Sequence, residues 1–168
     1  MKRPQADEYG LFYKGYIDCV GDDVLSELVD QLVSFPEFLR SVPIRKVDYA
    51  YAEGKWTLKE LLGHIIDTER IMSYRLLRFA RNDSTALPGF EENSYVQNAH
   101  FGEQDFNTMI DEFASVRKAN LYLFKSLKEE ELQRMGRASD APLSVRALLF
   151  IIAGHLKHHR KIIEERYL

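Results

Sequence analysis

Apolar residues recur every three or four positions in four separate stretches of the chain, which is the pattern of amphipathic helices. The first stretch follows a capping aspartate, Asp22 or Asp23, and ends at Pro43. Its apolar face continues past Pro36, so we expect either a kink or a break and restart at that residue. The inward positions of this stretch are Leu25, Leu28, Leu32, Phe35 and Leu39.

The second stretch begins at a capping box, with Thr57 as the cap and Glu60 three residues later, and we expect it to run to about residue 81. Its apolar arc has His64 at one border and encloses a carboxylate, Glu69, which is unusual for a charged residue. Arg75 lies on the His64 side about three turns further on, where it is a candidate to meet an anionic substrate. The arc itself consists of Leu58, Leu61, Leu62, Ile65, Met72, Leu76 and Phe79.

Two more helices are predicted in the second half of the chain. The third runs from about residue 103 to residue 127, and its apolar face contains two polar side chains, Arg117 and Asn120. The fourth is capped by Ser144 and runs to about Tyr167. Since Arg117 and Glu69 both lie inside apolar arcs, we expect them to form an ion pair or to reach one polar pocket, because a lone buried charge is costly.

The segments between the helices differ in character. Residues 1–21 are predicted to be an irregular arm rich in glycine and aromatic residues, and residues 43–56 form a connection. Residues 82–102 form a long loop, a feature that is often functional, and residues 135–142 form a turn-rich link. No strand-like alternation competes with the helices. The pattern therefore predicts a single all-α domain over residues 1–168, folded as a four-helix bundle whose packing order stays open.

Composition narrows the classes of function. The 168 residues include 45% hydrophobic and 29% charged residues with a net charge of −3, which gives no electrostatic reason to expect nucleic acid as a partner. No apolar run approaches the roughly 20 residues of a membrane span, so no membrane association is expected. A single cysteine, Cys19, excludes an intramolecular disulfide. The N-terminus has no apolar signal core, and we expect a cytoplasmic protein.

Histidines interrupt the apolar stripe of the fourth helix. His155 and His159 are spaced i and i+4, which places them about 40° apart on one face, whereas His158 lies at the edge of the stripe. Two imidazoles in this arrangement can chelate a metal. His64 is the one other histidine within a predicted helix, and it would complete a three-histidine site for a single ion. His100, in the long loop, is expected at the surface.

Alternatives to a metal site stay open from the spacing alone. The three histidines are also compatible with a hydrogen-bonded structural cluster or with an interface role. The Glu-x-x-His repeats of di-iron bundles and the His-Glu-x-x-His motif of zinc proteases are both absent. Imidazole ligands suit zinc, nickel, copper and iron alike, so the residues do not identify the metal.

The stretch YAEGKWTLKELLGHIIDTERIMSYRLLRFARND, the following LPGF and the C-terminal GHLKHHRKIIEERYL together resemble the DinB-like (DinB/YfiT) superfamily. This resemblance implies a four-helix bundle, often a homodimer, that binds one divalent metal. Zinc and nickel are the candidate ions, with iron as a further one. Carried over by position, the ligands would be His64, His155 and His159. The helical spacing, rather than the resemblance, adds four candidates to line a polar pocket beside the metal or to orient its ligands: Glu69, Arg117, Asn120 and Arg75.

The resemblance also implies several kinds of activity. Relatives include thiol-dependent transferases, so the leading hypothesis is a metal-dependent S-transferase that acts on a small-molecule substrate with a low-molecular-weight thiol. A metal-dependent hydrolase is the next candidate, and a non-catalytic metal- or ligand-binding stress-response bundle is the third. The sequence also favours a homodimer, because surplus exposed apolar area usually marks an interface. The apolar residues predicted outside the inward stripes are Phe12, Tyr13, Tyr74 and Phe150.

Overall fold

The computed structural model describes all 168 residues and is built almost entirely of helices. Four long helices form its body, joined by three shorter helices, a few 3-10 turns and one β-hairpin. The elements are α1 (Lys14–Asp18), α2 (Val24–Ser41), α3 (Leu58–Ala80), α4 (Glu92–Ala99), α5 (Phe106–Ser126), α6 (Glu129–Leu132), β1 (Met135–Ala138), β2 (Ala141–Ser144) and α7 (Val145–Ile162). A π-helical turn, Ile163–Tyr167, follows α7 directly at the C-terminal end of the chain.

The long helices α2, α3, α5 and α7 pack as a four-helix bundle, which confirms the predicted fold class. Each of α2 and α3 packs against both α5 and α7, so that α2 lies diagonally across the bundle from α3. Helices that follow one another along the chain are therefore not always neighbours. The connections before α3 and before α7 are long because each must cross the end of the bundle to reach a helix on the opposite corner.

A polar layer divides the core into two apolar clusters. One cluster includes the N-terminal arm and the first half of α7, and the other lies around the first half of α3. Between them every long helix contributes buried polar side chains where its apolar stripe is interrupted, among them Gln31 from α2, Glu69 from α3, Arg117 from α5 and His155 from α7. The layer thus places polar groups of all four helices at one level of the bundle.

Two segments that were expected to lack regular structure contain it. The predicted link at 135–142 is an antiparallel hairpin of β1 and β2, whose four-residue strands are too short to show alternation in the sequence. The predicted loop at 82–102 contains α4, which begins where the Glu91 carboxylate accepts bonds from the backbone N–H groups of Asn93 and Ser94. Only Val96 of α4 is buried, so its sequence carries no apolar period.

Two further expectations are corrected. Helix α2 is continuous through Pro36, so the alternative of a break and restart is wrong. The arm is not wholly irregular, because it contains α1 and short 3-10 turns. It also covers α7, and for this reason Phe150 and Tyr13 are buried rather than available for association. Phe12 and Tyr74 are exposed as expected.

The arm is held on the bundle by charged contacts. The buried carboxylate of Glu8 accepts hydrogen bonds from the Arg146 guanidinium and from the Ser144 hydroxyl at the start of α7. Burial raises the pKa of Glu8, but these hydrogen bonds outweigh it and lower the pKa below its usual value. Arg3 donates to the backbone carbonyls of Ile17 and Val20, which fixes the arm beyond its short helix.

Candidate metal centre

Three histidines from two helices converge in the interior of the bundle. The Nε2 atoms of His64 and His155 lie 3.0 Å apart, and those of His159 and His155 are also 3.0 Å apart. All three side chains are buried, with one ring nitrogen from each within 4.8 Å of the others. The remaining two histidines lie outside this cluster, since His100 and His158 are exposed.

Burial keeps the three imidazoles neutral. Desolvation lowers the pKa of His64 to about 4, and desolvation with the neighbouring imidazoles lowers the pKa of His159 to about 2. The same causes lower the pKa of His155 well below its ordinary value. At neutral pH each ring therefore presents a lone pair, which is the form of histidine that binds a metal.

Local packing fixes the position of His64. The capping box predicted at Thr57 is present, with Glu60 bonding back to the Thr57 backbone, so α3 begins one turn and a half before His64. A Cβ atom added at Gly63 would lie 2.3 Å from the ring of Phe101, so glycine lets this aromatic ring pack directly on the helix. The Trp56 ring covers the other side of His64 at a centroid distance of 4.8 Å.

The arm completes the surroundings of His155. The Tyr16 ring packs edge-on against the rings of His155 and His158, with centroids 5.5 Å and 5.4 Å away. A Cβ atom at Gly154 would lie 2.0 Å from the Tyr16 carbonyl oxygen, so the arm can cross α7 here only because residue 154 lacks a side chain. The sequence GH at 154–155 thus combines a backbone crossing point with a candidate ligand.

The predicted meeting of Glu69 and Arg117 is present in the polar layer. The guanidinium donates to both carboxylate oxygens, at 2.7 and 2.9 Å, and also to the Gln31 side-chain oxygen at 2.8 Å. Asn120 donates to the same carboxylate at 3.3 Å. Gln31 in turn donates to the Ala153 carbonyl of α7 at 2.9 Å. This network ties all four long helices together two residues before His155.

Glu69 approaches the histidines without bonding to them. A void of about 10 Å³, the size of one water molecule, is lined by Glu69, Thr68 and His155 together with apolar neighbours. The Thr68 hydroxyl is buried and has no hydrogen-bond partner, and the Nδ1 atom of His159 is also without one. These unpartnered polar atoms show that the cluster retains hydrogen-bonding capacity that the protein itself does not use.

Two separate cavities reach the histidine cluster. The first, which we call the arm-side cavity, has a volume of about 420 Å³ and reaches His155. The second, the Trp56-side cavity, has a volume of about 240 Å³ and reaches His159. Helix α4 borders both, since Glu92 lines the first and Asn93 the second. The arm-side cavity is lined by Phe12, Tyr13, Tyr16, Thr68, Met72, Phe90, Glu92, Ser139, Ile151 and His155.

Glu92 is the one carboxylate that lines the arm-side cavity. The residue is exposed, yet the cavity walls desolvate its carboxyl group enough to raise its pKa, and the charge of Glu91 raises it further. A carboxyl group with a raised pKa in a cavity is suited to proton transfer. No pattern in the sequence points to Glu92, because this residue belongs to the segment expected to be a loop.

Arg75 does not join the histidine cluster. Its buried guanidinium donates to the Pro88 carbonyl at 2.8 Å and to the Ser139 hydroxyl at 3.1 Å, behind the wall of the arm-side cavity. Of the four polar candidates around the site, Glu69, Arg117 and Asn120 therefore form one network and Arg75 stands apart. Thr68, Gln31 and Tyr16 complete the surroundings, although the sequence did not single them out.

A family model described as the DinB superfamily matches residues 27–163. The chain belongs to the DinB superfamily. The matched range includes all three clustered histidines and all four long helices except the first three residues of α2, which agrees with the resemblance seen in the sequence.

Two curated relatives of this DinB protein come from Oceanobacillus iheyensis, and each is named "Putative metal-dependent hydrolase". One is 25% identical over 128 residues, covering 73% of this chain and 71% of the relative. The other is 20% identical over 145 residues, covering 81% of each chain.

A solved structure shares the fold. YfiT from Bacillus subtilis, described as a probable metal-dependent hydrolase with an unusual four-helix bundle topology, superimposes with a TM-score of 0.73. The match covers 96% of this chain and 89% of YfiT at 16% identity. At that identity the likeness establishes the architecture and not the activity. None of the helices in the DinB protein has the length and apolar character to cross a membrane.

Proposed function

We propose that this member of the DinB superfamily is a metal-dependent hydrolase in which His64, His155 and His159 hold one divalent cation. The observation that carries the proposal is the convergence of three buried, neutral imidazoles at a point reached by two cavities. Three nitrogen ligands in a tetrahedral zinc site lie about 3.3 Å from one another. The two separations from His155, both 3.0 Å, are close to that value, and the nitrogens of His64 and His159 lie within 4.8 Å of each other.

Hydrogen bonding among the rings explains the cluster less well than a cation does. A neutral ring nitrogen carries either one proton or one lone pair, so the Nε2 atom of His155 can form a full hydrogen bond with one of its two neighbours but not with both. A cation accepts a lone pair from all three nitrogens at once. Three neutral ligands also leave a coordination position free, as in catalytic zinc sites. Zinc and nickel are the proposed ions, and iron is a third candidate.

A bound cation of this kind would supply Lewis acidity and a lowered pKa for water. The residues of the chain would transfer protons, position the ligands and exclude water. Glu92 would take a proton from the attacking water and return it to the leaving group. Tyr16 would hold His155 in place, and the aromatic walls of the arm-side cavity would exclude bulk water from the substrate. The accessible cavities favour an enzyme over a closed, structural metal site.

The hydrolase proposal takes precedence over a thiol-dependent transferase because the two curated relatives carry hydrolase names. The transferase, the cytoplasmic location and the homodimer stay predictions from the sequence.

The function can be tested on the full chain after chelation and reloading with Zn²⁺ or Ni²⁺. Hydrolysis of a panel of chromogenic esters and amides should require metal and should be lost in His155→Ala. Glu92→Gln should lower kcat by about a hundredfold without loss of bound metal. Glu103→Gln, an exposed glutamate outside the cavity, is the control and should behave as wild type. Metal-dependent turnover of a thiol with an electrophile, in the absence of any hydrolysis, would contradict the proposal.

A further inference from the structure

Two arginines are buried in this bundle, and they differ in how their charge is balanced. Arg117 is fully buried and forms a two-pronged ion pair with Glu69. Arg75 is only 2% exposed and forms no ion pair with any carboxylate of the chain. A guanidinium group stays protonated in a protein, so Arg75 carries a full positive charge that nothing in the interior neutralises.

The partners of Arg75 are neutral. Besides Pro88 and Ser139, its guanidinium lies 3.8 Å from the Met72 sulfur and 5.8 Å from the Phe90 ring centroid. Carbonyl, hydroxyl and aromatic groups disperse a cationic charge but do not cancel it. Three of these neighbours, Met72, Phe90 and Ser139, also line the arm-side cavity, so Arg75 stands directly behind its wall.

Ser139 connects the guanidinium to the cavity. Its oxygen accepts a hydrogen bond from Arg75, which leaves the hydroxyl proton free to be donated, and Ser139 donates it to no group of the protein. The side chain is half-buried in the wall of the cavity. A hydroxyl group that accepts from a cation is a stronger donor, because hydrogen bonds in a chain polarise one another. An anion in the cavity would provide the missing acceptor.

The backbone at Ser139 holds the hydroxyl group in this position at some cost. Ser139 and Asp140 form the two-residue turn of the β-hairpin, and both have positive φ values, 53° and 60°. Such turns favour asparagine and glycine, and other residues adopt them less readily. The turn is further fixed by the bond from the Ser139 N–H group to the Leu87 carbonyl. A strained residue beside a cavity is a common feature of binding sites.

We propose that the arm-side cavity binds a small organic anion, an aromatic or otherwise apolar carboxylate, through Ser139 and Arg75. This inference names the substrate class of the hydrolase proposed above and rests on it. The aromatic rings of Tyr13, Tyr16 and Phe90 would contact the apolar part of the ligand, and His155 at the other wall would face its reactive bond. Glu92 also faces the cavity, but it is exposed, so water and salt screen its charge more than that of buried Arg75.

The test compares phenylacetate with its neutral isostere phenylacetamide, by calorimetry on full-length protein, both stripped of metal and loaded with zinc. Wild-type protein should bind the carboxylate about tenfold or more tightly than the amide in both states. Ser139→Gly removes the hydroxyl and suits the positive φ, so it should abolish the preference without unfolding the protein. Asp140→Gly is the matched control in the same turn and should retain the preference.

Arg75→Met should also abolish the preference, and Arg70→Met, an exposed arginine of the same helix, should not. If Arg75→Met does not fold, Ser139→Gly decides the matter alone. A preference that survives Ser139→Gly in metal-stripped protein would overturn the proposal. The absence of a preference in metal-stripped wild type would also overturn it, since the anion would then bind to the metal. Calorimetry measures binding without turnover, so the two proposals can fail separately. If the protein prefers the carboxylate but hydrolyses none of the esters and amides of the panel, the proposed function is refuted and the proposed binding site is retained.

Discussion

The ion pair between Glu69 and Arg117 allows a quantitative test of the polar layer. Both side chains are almost fully buried, at 3% and 0% exposure, and two short hydrogen bonds join them. Arg117→Met keeps much of the side-chain volume but leaves the carboxylate with Asn120 as its one remaining side-chain donor. Removing one member of a buried pair costs about 3–5 kcal/mol, because the other charge is left unpaired in the interior.

The expected change in melting temperature follows from that free energy. For a chain of 168 residues, each kcal/mol lost lowers Tm by about 2–4 °C. Arg117→Met should therefore lower Tm by about 6–20 °C, and Glu69→Gln should also destabilise the protein because its amide no longer balances the guanidinium charge. The double variant should be more stable than the sum of the singles predicts, by about 1–3 kcal/mol.

The structure offers a matched control on the same two helices. Arg70 of α3 pairs with Glu112 of α5 at 2.5 Å, but these side chains are 48% and 34% exposed. Removing this pair should cost less than about 1 kcal/mol. Thermal and urea unfolding of both sets of variants would measure the difference. If the Glu69 and Arg117 variants were as mild as the surface pair, or strictly additive, the argument for a buried tie between the helices would be refuted.

Three further predictions concern the arm and the oligomeric state. Gly154→Ala should displace the arm, because the added Cβ meets the Tyr16 carbonyl, and limited proteolysis should then cleave within residues 1–20. Glu8→Gln should cost about 1–3 kcal/mol at pH 7. Because the folded-state pKa of Glu8 is lowered, the difference from wild type should begin to shrink as pH falls below the ordinary value of 4.5, where unfolded Glu8 takes up a proton, and should be lost as pH falls through the lowered folded-state pKa; a difference that does not change between pH 7 and the acid limit of folding would contradict this. The exposed aromatic residues should support a homodimer, and a monomeric mass at micromolar concentration in light scattering would count against it.

The parts of this fold that the sequence predicted are those with a repeating signal. The four long helices follow from apolar spacing, and the capping box at Thr57 and Glu60 marks the start of α3 within a residue. The contact between Glu69 and Arg117 follows from the same pattern, since a charge inside an apolar arc needs a partner.

The parts that escaped prediction depend on contacts distant in sequence. The hairpin turn at Ser139 and Asp140 contains neither glycine nor asparagine, the residues that usually indicate such a turn in a sequence. A hydrogen bond from the Ser139 N–H group to the distant Leu87 carbonyl stabilises it. Helix α4 is capped locally but has one buried residue, so no apolar period reveals it. Phe150 is buried beneath the N-terminal arm. From the sequence alone it is interpreted as exposed apolar surface, because the contact between the arm and α7 is not visible in the helical spacing. For the same reason the cavity that contains Glu92 could not be assembled from the sequence.

The central claim is that His64, His155 and His159 hold one metal ion. The most direct measurement is the metal content of purified protein, by elemental analysis, for the wild type and for single alanine variants of all five histidines. We predict about one divalent ion per wild-type chain, its loss in the variants of the three clustered histidines, and its retention in His100→Ala and His158→Ala. A wild-type protein that binds no ion after reloading, or an ion that persists when His155 is removed, would contradict the account.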